Sequence, residues 1–89
     1  MFYTVEITAS ATKQLRRLPK RDSNRLRQAV EQLQAGLTPS CRKLSGYANL
    51  YRLRVGVYRA LFAMEHEKLR ILVFQVGHRK EIYRSIQFP

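Results

Sequence analysis

Residues 49–59 have the sequence NLYRLRVGVYR, which predicts a tight β-hairpin that carries three arginines. Alternation along a strand places Arg52 and Arg54 on one face, and Gly56 supplies the positive φ that two-residue hairpin loops favour. If Gly56 is the second loop residue, Arg52 faces Arg59, and if it is the first, Arg54 faces Arg59. Both registers gather the three arginines on one face, where directly opposed like charges destabilise a sheet by about 0.2–1 kcal/mol.

The segments on either side of this hairpin predict an α+β fold. The predicted elements are a strand at 2–8, helices at 10–18 and 22–35, and strands at 48–55, 57–64 and 69–77. The expected N-caps are Ser10 for the first helix and Asp22 or Ser23 for the second. Gly36 is expected to end the second helix. The order β-α-α-β-β-β predicts one domain over 1–89, with an N-terminal helical hairpin packed on a small, mainly antiparallel four-stranded sheet.

The charge of the chain indicates a polyanionic partner. The sequence has 17 Lys and Arg residues against 6 Asp and Glu residues, a formal net charge of +11. Such a charge opposes compaction by self-repulsion and favours nucleic acid or an acidic protein as the partner. Arginine outnumbers lysine, and its planar guanidinium group binds phosphate with two parallel hydrogen bonds.

The sequence also predicts where the protein is found. It has no apolar run of about 18 residues, the length that a membrane span requires. Its first residues, MFYTVEIT, read as a strand and lack the charged start and apolar core of a signal peptide. The single cysteine, Cys41, forms no internal disulfide and fits a reducing compartment. We therefore expect a cytoplasmic protein with no membrane partner.

Further cationic side chains are expected beside the three arginines of the hairpin. The polar turn at 65–68 returns the last strand alongside the hairpin, so that His78 and Arg79 are expected near the arginines. The nearest acidic residues in sequence, Glu65 and Glu67, lie at the far end of that strand pair. Positive charge without an acidic neighbour predicts a phosphate-binding site.

The residue types present limit the chemistry of such a site. Six scattered acidic residues do not provide the clustered carboxylates of a two-metal nuclease, and one Cys with two His does not match zinc-ligand spacing. We therefore expect no cofactor. RNA offers a metal-free reaction, because its own 2′-OH attacks the adjacent phosphate while arginines stabilise charge on the phosphoryl oxygens. His78 and Tyr83 are the candidates for proton transfer, and DNA is excluded because it lacks the 2′-OH.

Three segments together resemble the RelE/ParE toxin superfamily, and in particular its RelE-type mRNA interferases. They are YTVEITASATKQLRRLPK at 3–20, KLSGYANLYRLRVGVYRALF at 43–62 and ILVFQVGHRKEIY at 71–83. The resemblance implies a ribosome-dependent, metal-independent endoribonuclease that cleaves mRNA in the ribosomal A site by 2′-OH attack and so inhibits translation. The basic active-site positions of the family fall on Arg52, Arg54, Arg59 and Arg79, and its catalytic or stacking tyrosine falls on Tyr83.

One departure from the family affects the mechanism. Founding members carry lysines at the positions of Arg52 and Arg54. A lysine with a lowered pKa can act as a base, whereas arginine stays charged. Arg52 and Arg54 are therefore expected to stabilise developing charge, and His78 stays a catalytic candidate because another group or water must act as the base. The expected RNA-binding residues are Arg42, Lys43, Lys80 and Arg84.

The resemblance also implies partners and a second candidate function. A toxin of a type II toxin–antitoxin system is neutralised by a cognate acidic antitoxin, acts on the ribosome and mRNA, and binds operator DNA only as the toxin–antitoxin complex. The alternative is a ParE-like inhibitor of DNA gyrase on the same fold, although that branch generally lacks the basic and tyrosine residues found here. A non-catalytic nucleic-acid-binding module explains the charge but leaves Tyr83 beside Arg79 without a role.

Overall fold

Five strands form one sheet in the computed structural model, which describes residues 2–84 and 86. The elements are β1 (Thr4–Ile7), α1 (Ala9–Arg16), α2 (Lys20–Glu31) with a 3-10 turn at Gln32–Ala35, β2 (Cys41–Lys43), β3 (Leu50–Val55), β4 (Tyr58–Glu65) and β5 (Arg70–His78). The strands lie in the order β1-β5-β4-β3-β2. The pair β1–β5 is parallel, and the other three pairs are antiparallel. The predicted α+β class and the mainly antiparallel sheet are confirmed.

The prediction of four strands was wrong, because the structure adds the short strand β2. Its three residues pair with the edge of β3, with Cys41 opposite Leu53 and Arg42 opposite Arg52. Three residues are too few to show an alternation of apolar and polar side chains, and Pro39 nearby favours a loop interpretation. The backbone therefore forms a strand where the sequence pattern predicts an irregular connection.

The helices begin at different residues from those predicted. The N-cap of α1 is Thr8, whose hydroxyl oxygen accepts a hydrogen bond of 3.1 Å from the backbone N–H of Ala11, so the Ser10 prediction was wrong. Helix α2 begins directly after Pro19 and has no side-chain N-cap, so neither of the two predicted caps is used. Gly36 follows the 3-10 turn with a φ of 109°, which confirms the expected C-terminal stop.

The sheet buries apolar side chains on both faces. On one face α1 packs against β5 and α2 against β3, over a core whose largest fully buried members are Leu15, Leu26, Leu33, Leu53, Phe62 and Ile71. The opposite face carries a smaller cluster of Leu50, Leu61, Ala63, Phe74 and Ile82. Since Ile82 follows β5, the chain after the last strand folds back over this second face. None of the helices in the described part of the chain has the length and apolar character needed to span a membrane.

Candidate functional site

The β3–β4 hairpin adopts the register in which Gly56 is the first loop residue. Arg54 lies directly opposite Arg59, and Gly56 has a φ of 61°, as a tight hairpin loop requires. Arg52 lies two residues before Arg54 and therefore on the same face. The pairing of Arg42 with Arg52 adds a fourth arginine from β2. We refer to this side of the sheet, which carries Arg42, Arg52, Arg54 and Arg59, as the arginine face.

Arg59 is the buried member of the arginine face. Its side chain is only 8% exposed, and its Nη1 donates hydrogen bonds of 3.0 Å to the carbonyl oxygens of Gly56 and Tyr58. Burial is the largest factor that lowers the pKa of Arg59, and the charges of Arg54 and then Arg52 lower it further. The hairpin thus holds a guanidinium group in a position where its own positive charge is disfavoured.

Two residues beyond β5 also act on the charge of Arg59. The phenol group of Tyr83 raises the pKa of Arg59, and the charge of Arg79 lowers it. These effects require both side chains to lie near Arg59. The structure therefore brings together the five predicted residues Arg52, Arg54, Arg59, Arg79 and Tyr83.

The segment at 79–84, which we call the C-terminal turn, is held against the arginine face at several points. The backbone N–H of Arg79 donates to the carbonyl oxygen of Val57 at 2.7 Å, and Nε2 of Gln75 donates to the carbonyl oxygen of Ile82 at 3.1 Å. Ile82 is buried, with an exposed fraction of 2%, while Tyr83 next to it is 46% exposed. The turn thus has a buried anchor beside an accessible phenol group.

Gly77 provides the space for this turn. It lies directly opposite Arg59 in the β4–β5 pair, and a Cβ atom at this position would lie 3.3 Å from Cδ1 of Ile82. Sequence reasoning missed this role of Gly77 and the anchoring contact of Gln75. The available signal was the glycine itself, because a glycine inside a strand often marks close approach by another segment.

Carboxylates do not neutralise this site. The ion pairs of the described residues join Lys68 to Glu65 and Arg70 to both Glu6 and Glu65, at the end of β4 and β5 away from Arg59. Within residues 2–84 and 86, the arginines of the face and Arg79 form no ion pair, and the exposed Glu81 of the C-terminal turn forms none either. Among the described residues, these arginines therefore have no ion-pair partner, although Glu81 lies in the same turn as Arg79.

His78 lies on the other side of the sheet from the arginines. It pairs with Tyr58, its ring contacts the ring of Tyr58 edge-on at a centroid distance of 5.9 Å, and its Nδ1 accepts a hydrogen bond of 3.1 Å from the backbone N–H of Lys80. Tyr58 packs against the helix-covered core. The expected convergence of His78 with the arginines is therefore not observed.

A β-bulge explains the position of His78. Leu61 pairs with Gln75 while the next residue, Phe62, pairs with Val73, so Phe74 is an extra residue in β5. An extra residue reverses which side chains face which side for the rest of the strand. Regular pairing from the turn at 66–69 would have placed His78 on the arginine face, and the bulge places Gly77 there instead.

The four expected RNA-binding residues do not all lie on the arginine side of the sheet. Arg42 lies on the arginine face, whereas Lys43 pairs with Tyr51 and lies on the opposite face. Lys80 and Arg84 are exposed in the C-terminal turn. Three of the four residues therefore lie on the arginine face or in the turn that covers it.

Comparison with known proteins assigns the chain to a family. Residues 5–83 match the family described as the ParE toxin of the type II toxin–antitoxin system parDE. The chain belongs to the RelE/ParE toxin superfamily. A curated relative of this RelE/ParE-type chain is the toxin RelG of Mycobacterium tuberculosis, which is 33% identical over 95 residues covering 94% of this chain and 99% of the relative.

Solved structures agree with this RelE/ParE assignment. The toxin–antitoxin complex RelBE2 of Mycobacterium tuberculosis contains a chain with a TM-score of 0.78 and 26% identity, covering 89% of this chain and 100% of that one. The archaeal RelE–RelB complex of Pyrococcus horikoshii gives a TM-score of 0.77 and 27% identity, covering 96% and 100% respectively. The sheet and the two helices thus belong to a fold seen in RelE toxins.

Proposed function

We propose that this chain is the toxin of a type II toxin–antitoxin pair and acts as a ribosome-dependent endoribonuclease that cuts mRNA in the A site. The observation that carries the proposal is the arginine face itself. Arg59 is buried there opposite Arg54 and beside Arg52, although each neighbour disfavours its charge. A fold gains nothing from this arrangement unless an anion binds it, and a phosphodiester group supplies that anion.

The proposed reaction is attack by the 2′-OH of the RNA on the adjacent phosphate. Arg52, Arg54 and Arg59 stabilise the negative charge that develops on the phosphoryl oxygens, since they stay protonated whatever the local pKa shift. Arg79 reaches the same phosphate from the C-terminal turn. The reaction needs no cofactor, and it selects RNA because DNA has no 2′-OH.

Proton transfer is assigned to Tyr83 and to water. Tyr83 is exposed beside Arg79 and Arg59, where it can donate a proton to the leaving 5′-oxygen or stack on a base. His78 was the other candidate, but its ring lies against Tyr58 on the opposite face and its Nδ1 already accepts a hydrogen bond. We therefore give His78 a positioning role, because it fixes the start of the C-terminal turn.

The proposed partners follow from the charge and from the similar structures. The net charge of +11 favours a small acidic antitoxin, and the similar structures from Mycobacterium tuberculosis and Pyrococcus horikoshii are toxin–antitoxin or RelE–RelB complexes. We propose that a cognate antitoxin covers the basic surface of this chain and blocks access to the arginine face. Binding of operator DNA belongs to that complex, while ribosome and mRNA are partners of the free toxin.

The test is induction of the chain alone in cells, followed by primer extension on translated mRNAs. The expected result is arrest of translation with new 5′ ends inside reading frames. Arg79→Ala should abolish the cuts and the toxicity, because it removes the guanidinium group and retains the backbone hydrogen bond to Val57. The matched control is Arg16→Ala on the exposed side of α1, which should cut like the parent. Equal cutting by Arg79→Ala would overturn the catalytic assignment.

A ParE-like inhibitor of DNA gyrase is the second candidate, since the matching family is described by the name ParE. The arginine face with Tyr83 favours the nuclease, because gyrase inhibition does not require a phosphate-cleaving site. Supercoiling by purified gyrase separates the two functions. Inhibition of supercoiling without any cut in ribosome-bound mRNA would reverse the ranking.

A further inference from the structure

A groove of about 660 Å³ lies at the open edge of β3, between that edge and α2. It exists because β2 is short: beyond the pairing of Cys41 with Leu53, the edge of β3 continues without a neighbouring strand, apart from a hydrogen bond of 3.1 Å from the backbone N–H of Arg54 to Ser40. Helix α2 forms the opposite wall with Arg25 and Ala29.

Four arginines line this groove, which we call the arginine groove: Arg25, Arg42, Arg52 and Arg54. Among the described residues that line it, none is acidic. Arg42 is fixed at the rim, because its Nη1 donates hydrogen bonds of 2.9 Å to the carbonyl oxygens of Pro39 and Cys41. These hydrogen bonds hold the guanidinium group of Arg42 at the rim of the groove, although the residue is exposed.

The groove and the candidate active site share two residues at the edge of β3. Arg52 and Arg54 line the groove and also belong to the arginine face. Both the active-site arginine and the groove arginine approach the hairpin loop at Gly56. Arg59 donates a hydrogen bond to the carbonyl oxygen of Gly56. The guanidinium group of Arg25 lies 3.8 Å from the point where a Cβ atom would stand if residue 56 had a side chain. One loop thus separates the buried arginine of the cleavage site from the helix arginine of the groove.

We infer that the arginine groove binds the phosphodiester backbone of the same RNA strand, at nucleotides next to the one that is cut. The inference rests on the proposed function, because it takes RNA as the ligand of the neighbouring site. From β5 to β2 the strands span about 14 Å at ordinary strand spacing, so the cationic track is wide enough for more than one phosphate. Arg25 and Arg42 hold the strand while Arg59 and Arg79 act on the scissile phosphate.

The two shared arginines favour RNA over an acidic peptide as the ligand of the groove. A polynucleotide carries one negative charge at every nucleotide, so a strand bound at Arg59 necessarily presents further phosphates beside it. Arginine is also the side chain whose planar fork matches phosphate oxygens. Binding of an acidic peptide in the groove would not explain why the groove shares arginines with the cleavage site.

The experiment measures binding to 2′-O-methyl oligouridylates, whose attacking hydroxyl is blocked so that cleavage does not interfere. A trinucleotide occupies the cleavage site alone, and a decanucleotide also reaches the groove. We expect Arg25→Gln and Arg42→Gln each to weaken decanucleotide binding about two- to fivefold, as for an exposed ion pair. Each should also reduce the slope of log affinity against log salt by about 0.7, as for the loss of one phosphate contact on a single strand. Trinucleotide binding should not change for Arg25→Gln, since Arg25 lies on α2 and outside the arginine face. Arg16→Gln, which removes the same charge from α1, should alter neither.

Each outcome decides the inference. Unchanged decanucleotide binding by both groove variants would overturn it, as would an equal loss of trinucleotide binding and decanucleotide binding in Arg25→Gln. A hexaglutamate peptide provides the competing arm, and loss of peptide binding with intact RNA binding would assign the groove to an acidic protein instead. Failure of the proposed function would be seen separately, in the mRNA-cleavage assay. A protein that cuts no mRNA can still bind RNA through the groove, and a protein that cuts mRNA can lack binding through the groove.

Discussion

Arg54→Gln is predicted to make the protein more stable and less active. Arg54 is exposed, lies directly opposite Arg59, and makes no hydrogen bond or ion pair within the described structure that the substitution would break. Its removal relieves repulsion without creating a cavity. The same change removes one of the charges that we propose to stabilise the scissile phosphate, so RNA cleavage should fall.

The size of the stabilisation follows from the geometry of the strand pair. Directly opposed side chains have Cβ atoms about 4.5–5.5 Å apart, and like charges in this position destabilise a sheet by about 0.2–1 kcal/mol. Two unit charges at about 5.5 Å in water repel by a similar amount, about 0.75 kcal/mol. Because Arg54 can turn towards solvent, we expect a gain of about 0.5 kcal/mol, or a rise in Tm of about 2–4 °C for a domain of this size.

The assay is thermal unfolding by circular dichroism at low and high salt. The Debye length falls from about 30 Å at 0.01 M to about 3 Å at 1 M salt, so salt should raise the Tm of the parent towards that of Arg54→Gln. Adding Arg59→Gln completes a double-mutant cycle, in which the interaction between the two arginines should come out repulsive. Arg16→Gln on α1 is the charge-matched control and should change stability by less than about 0.5 kcal/mol. A lower Tm for Arg54→Gln at low salt, or a gain in Tm that salt does not reduce, would show that Arg54 and Arg59 do not repel each other in the folded protein.

Two further predictions concern the parts of the fold that support the site. Gly77→Val should lower the free energy of unfolding by about 1–3 kcal/mol, because its side chain overpacks against Ile82. It should also abolish mRNA cleavage, because the C-terminal turn is displaced. Gly77→Ala should have smaller effects on both, as measured by denaturant unfolding and by primer extension. Arg70→Gln should lower the Tm at neutral pH, because the hydrogen bond from Arg70 is the largest factor that lowers the pKa of Glu65 from its usual 4.5. A group with a depressed folded-state pKa stabilises the fold above its usual pKa. The difference between parent and variant should therefore shrink as the pH falls below about 4.5, and a constant difference down to acid pH would contradict it.

The alternation of side chains along a strand made part of the arginine face predictable from the sequence. Arg52, Arg54 and Arg59 share one face in either loop register, so their convergence depends only on the hairpin and the period of a strand. The choice between registers was not predictable from the sequence, because Gly56 suits either loop position. The structure selects the register in which Arg54 opposes Arg59.

The placement of His78 shows what strand alternation cannot give. Phe74 lies inside an apolar run, and although Gln75 and Gly77 interrupt the pattern of β5 just after it, neither residue fixes the position of a bulge. The bulge nevertheless reverses the facing of every later residue in that strand. The strand β2 escaped prediction for a related reason, since three residues carry too little pattern. Both features depend on tertiary packing, and both decide which side chains reach the site.

The proposed reaction requires that RNA be cut by its own 2′-OH on the arginine face. The most direct test uses ribosomes programmed with an mRNA in which the nucleotide before the mapped cut carries a single 2′-deoxy substitution. The parent protein should cut the unmodified mRNA to leave a 2′,3′-cyclic phosphate and should not cut the substituted mRNA at that position. Cleavage of the 2′-deoxy mRNA at the same site and rate would show that a nucleophile other than the 2′-OH attacks the phosphate.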